Sequence, residues 1–188
     1  LIGGLYPYGG AIIMAAIACV NSGAGLVTVA TDRDNITALH AHLPEAMAFD
    51  FGERDRLLDN LRAANVVLIG SGLGESDAAR QVLDLVLANI RPDQNLVVDG
   101  SALNLLAKQN KADLPECHLI LTPHQKEWER LSGLAILEQT VSNTQKALAD
   151  FPAETILVAK SHRTAVYQSK EVAHLEVGGP YQATGGMG

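Results

Sequence analysis

Short runs of β-branched and other apolar residues alternate along the chain with segments whose apolar residues recur three and four apart. The first pattern predicts strands at Gly25–Ala30 (GLVTVA), Val66–Gly70 (VVLIG), Asn95–Asp99 (NLVVD), His118–Thr122 (HLILT) and Thr155–Lys160 (TILVAK). Most of these are apolar on both faces, as strands of a covered parallel sheet are. The second pattern predicts helices over Ser76–Ile90, Ser101–Gln109 and Asn143–Phe151. Near the start, GGAIIMAAIACVNSG is apolar nearly all round and reads as a buried helix. Towards the end the rhythm changes: TAVYQSK and EVAHLEVG read as an antiparallel pair turning around Ser169 and Lys170. Strand and helix alternating in this way predict an α/β fold, a mostly parallel sheet covered by helices with an antiparallel edge. No repeat, low-complexity tract or linker divides the chain, so residues 1–188 are expected to form one domain.

Composition narrows what such a domain does. The chain has 14 Lys+Arg against 21 Asp+Glu, a net charge of -7, and no basic run to neutralise a nucleic-acid backbone. Aromatic residues make up 4%, too few for a stacking surface. An anionic ligand must therefore be held locally, by backbone N–H groups, a lysine or a metal, against the field of the whole chain. The longest apolar run, Ala11–Val20, is shorter than the ~20 residues a membrane span needs, which predicts a cytoplasmic protein with no membrane partner. Cys19 and Cys117 lie outside any CxxC or Cys/His cluster and read as packed, reduced thiols; no metal ligand set is expected. The chain begins at Leu1, in LIGG, which reads as the tail of a strand, and residues are expected to precede it.

The chemistry-bearing residues gather where ligands collect in open α/β sheets, beyond the carboxyl ends of the strands. IGSGLGES puts Gly70, Gly72 and Gly74 between a strand and a helix, where backbone can approach a phosphate or a sugar; a plain turn with Ser76 as N-cap competes evenly. Asp99 precedes a helix led by Ser101 and is, alone, an ordinary residue for a helix start. His124 follows Pro123 at a strand end, with Glu127 one turn later either capping the helix or reaching a metal ion. Lys160, Ser161, Arg163 and Thr164 cluster cations and hydroxyls suited to phosphate, or are solvated hairpin residues. His40, His42 and His174 read as surface residues. ATGGMG, Ala183–Gly188, permits the backbone turns that aim several N–H groups at one anion.

Together GGLYPYGGA, NSGAGLVTVAT, IGSGLG, VVDGSALN, LTPHQKEWERL, AKSHRT and ATGGMG stand in the order seen in the ADP-dependent NAD(P)H-hydrate dehydratases, a branch of the ribokinase-like fold. The chain resembles that family along essentially its whole length. It departs at Ser71, often proline in the family, at DGSA and at Ser161, and in ending where the family has an aspartate after GGMG.

The resemblance implies a ribokinase-like three-layer sandwich and a dehydratase, a carbon–oxygen lyase, that repairs hydrated NADH or NADPH. It implies ADP as phosphoryl donor, Mg²⁺, and assembly into a homo-oligomer such as a tetramer. Lys160, Ser161, His162, Arg163, Thr164 and Gly188 would contact the adenine nucleotide. Ala11, Gly72, Gly74 and His124 would line the pocket for the hydrated nicotinamide. Gly185, Gly186 and Gly188 would cradle the moving phosphoryl group. The proton acceptor would be the aspartate after Gly188, so helices are expected beyond that residue, and the 188 residues alone are expected to lose the roughly 10²–10⁴-fold that a general base supplies. A kinase of the same fold acting on a vitamin-precursor alcohol, and a nucleotide-binding protein without catalysis, remain as alternatives.

Overall fold

A computed structural model describes residues 1–168 and 171–174. The chain runs α1 (Gly9–Asn21), β1 (Thr28–Thr31), α2 (Arg33–His42), β2 (Met47–Asp50), α3 (Arg54–Ala63), β3 (Val66–Ile69) and α4 (Asp77–Asn89). It continues through β4 (Asn95–Val98), α5 (Ser101–Leu106), β5 (His118–Leu121), α6 (Gln125–Ser132), α7 (Val141–Leu148), β6 (Ile156–Ala159), β7 (Ala165–Gln168) and β8 (Glu171–His174). Short 3₁₀ turns at Lys111–Asp113 and Ile136–Glu138 fill the connections.

Six strands hydrogen-bond in the order β3-β4-β5-β6-β7-β8, parallel from β3 to β6 and antiparallel from β6 to β8. A second parallel pair, β1-β2, joins them through Ile2, which bridges Ala30 on one side and Ile69 on the other. The amide of Ile2 donates to Leu68 at 2.8 Å, and that of Gly3 to Ala30 at 3.1 Å. LIGG is thus strand-like, as its composition predicts. The predicted antiparallel edge is present; its turn at Ser169 and Lys170 lies outside the described residues.

Right-handed crossovers decide which face each helix covers. The path from Ile2 to β1 and β2 moves one way along the sheet, and the path from β2 to β3 and onward moves the other. Helices α1 and α2 therefore lie on one face and α3 to α7 on the other, which makes three layers. Two apolar clusters match this division. Ile12 and Ala16 of α1 pack with Val27, Val29, Leu39 and Leu43, while Leu57, Leu83, Leu103, Trp128 and Leu148 pack over Ile69, Val98, Leu121 and Leu157.

Several boundaries differ from expectation, each for a local reason. β1 starts at Thr28, not Gly25, because Leu26 stands 87% exposed ahead of the ladder. β3, β4, β5 and β6 stop before Gly70, Asp99, Thr122 and Lys160, the residues that turn out of the strands, and β6 begins at Ile156. α5 ends at Leu106, and α7 runs from Val141, capped by the Thr140 hydroxyl, to Leu148. α4 begins after Ser76, whose hydroxyl accepts from the Ala79 amide, so Ser76 is an N-cap, one of the two readings open for this loop. Helix α1 is not buried all round: Ile12 and Ala16 are enclosed and Met14 is 48% exposed. Nor are the strands closed on both faces, for Leu68, Val97, Ile120, Ile156 and Val158 alternate with the buried set and stay half-buried.

Candidate active site at the carboxyl ends of the strands

Three neighbouring strand ends meet in one charged cluster. Register pairs Val98 with Leu121, so the next residues, Asp99 and Thr122, lie side by side. Thr122 Oγ1 donates to Asp99 Oδ1 at 2.7 Å, and Lys160 Nζ, from the end of β6, donates to the same oxygen at 2.9 Å. Burial alone would raise the Asp99 pKa, but the charge and hydrogen bond of Lys160 and the hydroxyl of Thr122 outweigh it and hold the carboxyl below its ordinary range. Beside the cluster, Gly70 adopts φ 126°, and a Cβ there would fall 1.7 Å from the Asp99 carbonyl oxygen. Only glycine lets the two backbones approach so closely.

The glycine loop after β3 continues from this point. A Cβ on Gly72 would meet the Tyr8 carbonyl oxygen at 2.3 Å and Ala11 Cβ at 3.1 Å, so Ala11 and Gly72 are neighbours, as expected of residues sharing a pocket. The Gly74 amide donates to Ser101 Oγ at 3.0 Å, which ties the loop to the first turn of α5. Farther out, Glu75 accepts from Asn104 and Lys108, and Asn104 accepts from Arg130 of α6. Hydrogen bonds from Lys108, then Asn104, bring the Glu75 pKa below its usual value.

His124 is the N-cap of α6. Its Nδ1 accepts from the amides of Lys126 and Glu127, and Glu127 Oε2 accepts from the His124 amide at 2.8 Å, a complete capping box. Of the two readings for Glu127, capping is the one observed. With Nδ1 occupied as an acceptor, the ring presents Nε2, 3.5 Å from Glu127 Oε1. His124 also bridges Lys160 across the β5 and β6 ends, where the Lys160 amide donates to Pro123 at 2.8 Å.

The connection from β6 to β7 carries Lys160 to Thr164. Ser161 Oγ donates to the Arg163 carbonyl and accepts from its amide, and Thr164 Oγ1 donates to the Ser161 carbonyl, so the loop is internally hydrogen-bonded. Next to it opens a cavity of about 700 Å³ whose walls include Trp128, Thr144, Lys160, Ser161, Arg163 and Tyr167. His162 and Thr164 lie outside this lining, as do Ala11, Gly72, Gly74 and His124. The buried Trp128 indole N–H in that wall has no hydrogen-bond partner among the described residues, the kind of orphaned donor that a ligand or a water normally satisfies.

The strand ends thus bring together Ala11 with Gly72, and His124 with Lys160, with Asp99 and Thr122 between the two pairs. Asp99 carried no weight alone in the sequence, and Thr122 drew none; the signal available was that both follow apolar strands of matched register. Gly185, Gly186 and Gly188, and Thr184 before them, lie outside the described residues. Among the described residues no three His, Cys, Asp or Glu side chains group to hold a metal, and no helix is long and apolar enough to cross a membrane. His40 and His42 are exposed, and burial pushes the Cys117 thiol up to about 11, in keeping with an inert packed cysteine.

Residues 1–188 match the family model described as NAD(P)H-hydrate dehydratase. The chain belongs to that family. The ADP-dependent (S)-NAD(P)H-hydrate dehydratase of Streptococcus thermophilus is 80% identical over 188 residues, which are all of this chain and 68% of that protein. A ribokinase-like superfamily protein of Enterococcus faecalis superposes with a TM-score of 0.91 at 44% identity, covering 98% of this chain and 64% of the other. An ADP/ATP-dependent NAD(P)H-hydrate dehydratase of Bacillus subtilis, co-crystallized with ATP and Mg²⁺ and soaked with CoA, superposes with a TM-score of 0.75 at 25% identity, covering 92% and 63%. The chain therefore spans about two thirds of the length of the NAD(P)H-hydrate dehydratase relatives it matches. The three-layer architecture with its antiparallel edge is the ribokinase-like fold that the motifs implied.

Proposed function

We propose that the protein is an ADP-dependent dehydratase that returns hydrated NADH and NADPH to the reduced cofactor. The observation that carries this reading is the meeting, on adjacent strand ends, of the Ala11–Gly72 contact, the Asp99–Lys160 pair and the Lys160-bordered cavity. Hydroxide is a poor leaving group from the hydrated ring. Transfer of the β-phosphoryl group of ADP to the ring oxygen forms an O–P bond, breaks the bond to AMP and leaves a phosphate ester. The ring nitrogen's electron pair then expels phosphate and a ring C–H proton departs, giving NAD(P)H, AMP and inorganic phosphate. Such a step is governed by position and by donors aimed at the oxygens where charge gathers.

In this reading Lys160, Ser161 and Arg163 hold the nucleotide phosphates, with His162 and Thr164 completing the loop. Ala11, Gly72, Gly74 and His124 face the hydrated nicotinamide, His124 through its Nε2. Gly185, Gly186 and Gly188 cradle the phosphoryl group, and a general base accepts the proton of the ring hydroxyl.

Mg²⁺, present with ATP in the Bacillus subtilis relative, fits as an ion carried by the nucleotide. The carboxylates at these strand ends are engaged, Asp99 by Lys160 and Glu127 by His124. Magnesium commonly keeps several waters and takes few protein ligands beside substrate phosphates. When bound, it would offset charge on the phosphates. A cytoplasmic location and assembly into a homo-oligomer complete the reading, the latter measured by light scattering.

The test supplies the protein, as its gene encodes it, with hydrated NADH and ADP and follows the absorbance of the reduced nicotinamide. The expected result is its return, with one AMP and one phosphate released per ring restored. Consumption of ADP only with a vitamin-precursor alcohol would support the kinase instead, and nucleotide binding with no turnover would support the non-catalytic alternative.

A further inference from the structure

We infer that Asp99 is a positioning residue for the phosphoryl step, holding the Lys160 ammonium at the boundary between the nucleotide region and the hydrated-ring region. The inference rests on the dehydratase reading and goes beyond it, because that reading assigns Asp99 no role in the reaction and treats Lys160 only as a nucleotide contact.

Lys160 leaves the end of β6, and its backbone is tied to β5 through Pro123 and His124. Its ammonium nevertheless reaches past the end of β5 to the residue that follows β4, 2.9 Å from Asp99 Oδ1. A lysine is a point charge on a flexible four-carbon stem and has no intrinsic reason to lie there. The carboxylate supplies the reason, and it is itself anchored: Thr122 donates to the same oxygen at 2.7 Å, and the Asp99 backbone is pressed against Gly70. Both partners are partly buried, with side-chain exposures of 23% for Lys160 and 29% for Asp99, so salt screens the pair less than a surface contact. Helix capping does not account for Asp99, since Gly100 is the N-cap of α5 and the carboxylate faces Lys160.

Held this way, Lys160 runs from the cavity lining to Asp99, whose backbone abuts Gly70 at the start of the glycine loop. A β-phosphoryl group passing from AMP to a ring oxygen must travel between those two regions. A cation fixed there meets charge gathering on the migrating oxygens without reorganising during the step, which lowers the barrier more than it tightens ground-state binding. Asp99 thus acts through Lys160, and its loss is expected in kcat more than in the KM for ADP.

Steady-state kinetics of the whole protein with hydrated NADH and ADP tests this, each variant being checked for folding by thermal melting. Asp99→Asn is expected to lower kcat at least about tenfold while the KM for ADP shifts less than about threefold. Lys160→Ala is expected to lose more, and Asp99→Asn/Lys160→Ala no more than Lys160→Ala alone. Added methylammonium should partly restore Lys160→Ala but not the double variant, an effect that a merely structural Asp99 would not produce. Thr122→Val, which unanchors the carboxylate and leaves its charge, should lower kcat in the same direction and carries the test should Asp99→Asn fail to fold. Wild-type kcat in Asp99→Asn, a change confined to the KM for ADP, additive losses, or equal rescue of the double variant would each overturn the inference while leaving the dehydratase reading standing. No turnover by the wild type would overturn that reading and this inference with it.

Discussion

At the scale of single residues, Gly70 and Asp99 constrain each other. The φ of 126° at Gly70 and the 1.7 Å approach that a Cβ would make to the Asp99 carbonyl leave no room for a side chain. Gly70→Ala is therefore expected to cost more than the about 1–3 kcal/mol typical of a strained backbone position, since the backbone itself must shift. Gly133→Ala, at φ 80° with open space around it, should cost only the about 1–2 kcal/mol of a left-handed residue. Urea denaturation of the two variants gives the comparison. Asp99 adds a pH dependence. Its folded pKa lies below its unfolded value, so its contribution to stability is complete above the unfolded value of about 3.9 and is lost as pH falls through the lower folded value. Asp99→Asn should remove that part of the acid-side slope, as read from melting temperatures below about pH 4. An unchanged slope would mean that Lys160 does not favour the ionised carboxylate.

The elements were legible in proportion to how apolar they are. β3 to β6 stand out as runs such as VVLI and HLIL, whereas β2, MAFD, is four residues with a single buried position, Phe49. α2 and α3 bury only Leu39, and Leu57 with Leu61, so charged residues hide their period. At α1 the reverse holds: apolar composition implies enclosure but says nothing of what covers each side. The strand patterns run one residue past the ladders, to Gly70, Asp99, Thr122 and Lys160, because those residues continue the strand in sequence while turning out of it in space. The pairing of Asp99 with Lys160, 61 positions apart, depends on register across three strands and leaves no local signal.

His124 joins an element boundary to a proposed substrate contact. It caps α6 through Nδ1, while Nε2 lies 3.5 Å from Glu127 Oε1. Asparagine caps helices well, so His124→Asn should keep stability within about 0.5 kcal/mol while raising the KM for hydrated NADH. His124→Ala should lose about 1 kcal/mol as well. Equal loss of stability in both variants, with substrate KM untouched, would reduce His124 to a cap.

On the scale of the whole molecule, the proposed function uses two regions along the carboxyl edge of the sheet. α1 with the glycine loop forms one, α6, α7 and the β6–β7 connection the other, and the Asp99–Lys160 pair marks the join. Because Trp128 is the one tryptophan of the sequence and lines the second region, the protein carries its own reporter. Saturating ADP should change the intrinsic fluorescence with the same midpoint as its KM. An unaltered spectrum at saturation would place the nucleotide elsewhere.

In the proposed reaction the ring hydroxyl leaves as phosphate after receiving a phosphoryl group from ADP. Hydrated NADH carrying a heavy-oxygen label in that hydroxyl, with the products resolved by mass spectrometry, follows the oxygen itself. The expected result is the label in inorganic phosphate, one atom per NADH formed, and none in AMP. Label released into water, with unlabelled phosphate, would overturn the phosphoryl-transfer route.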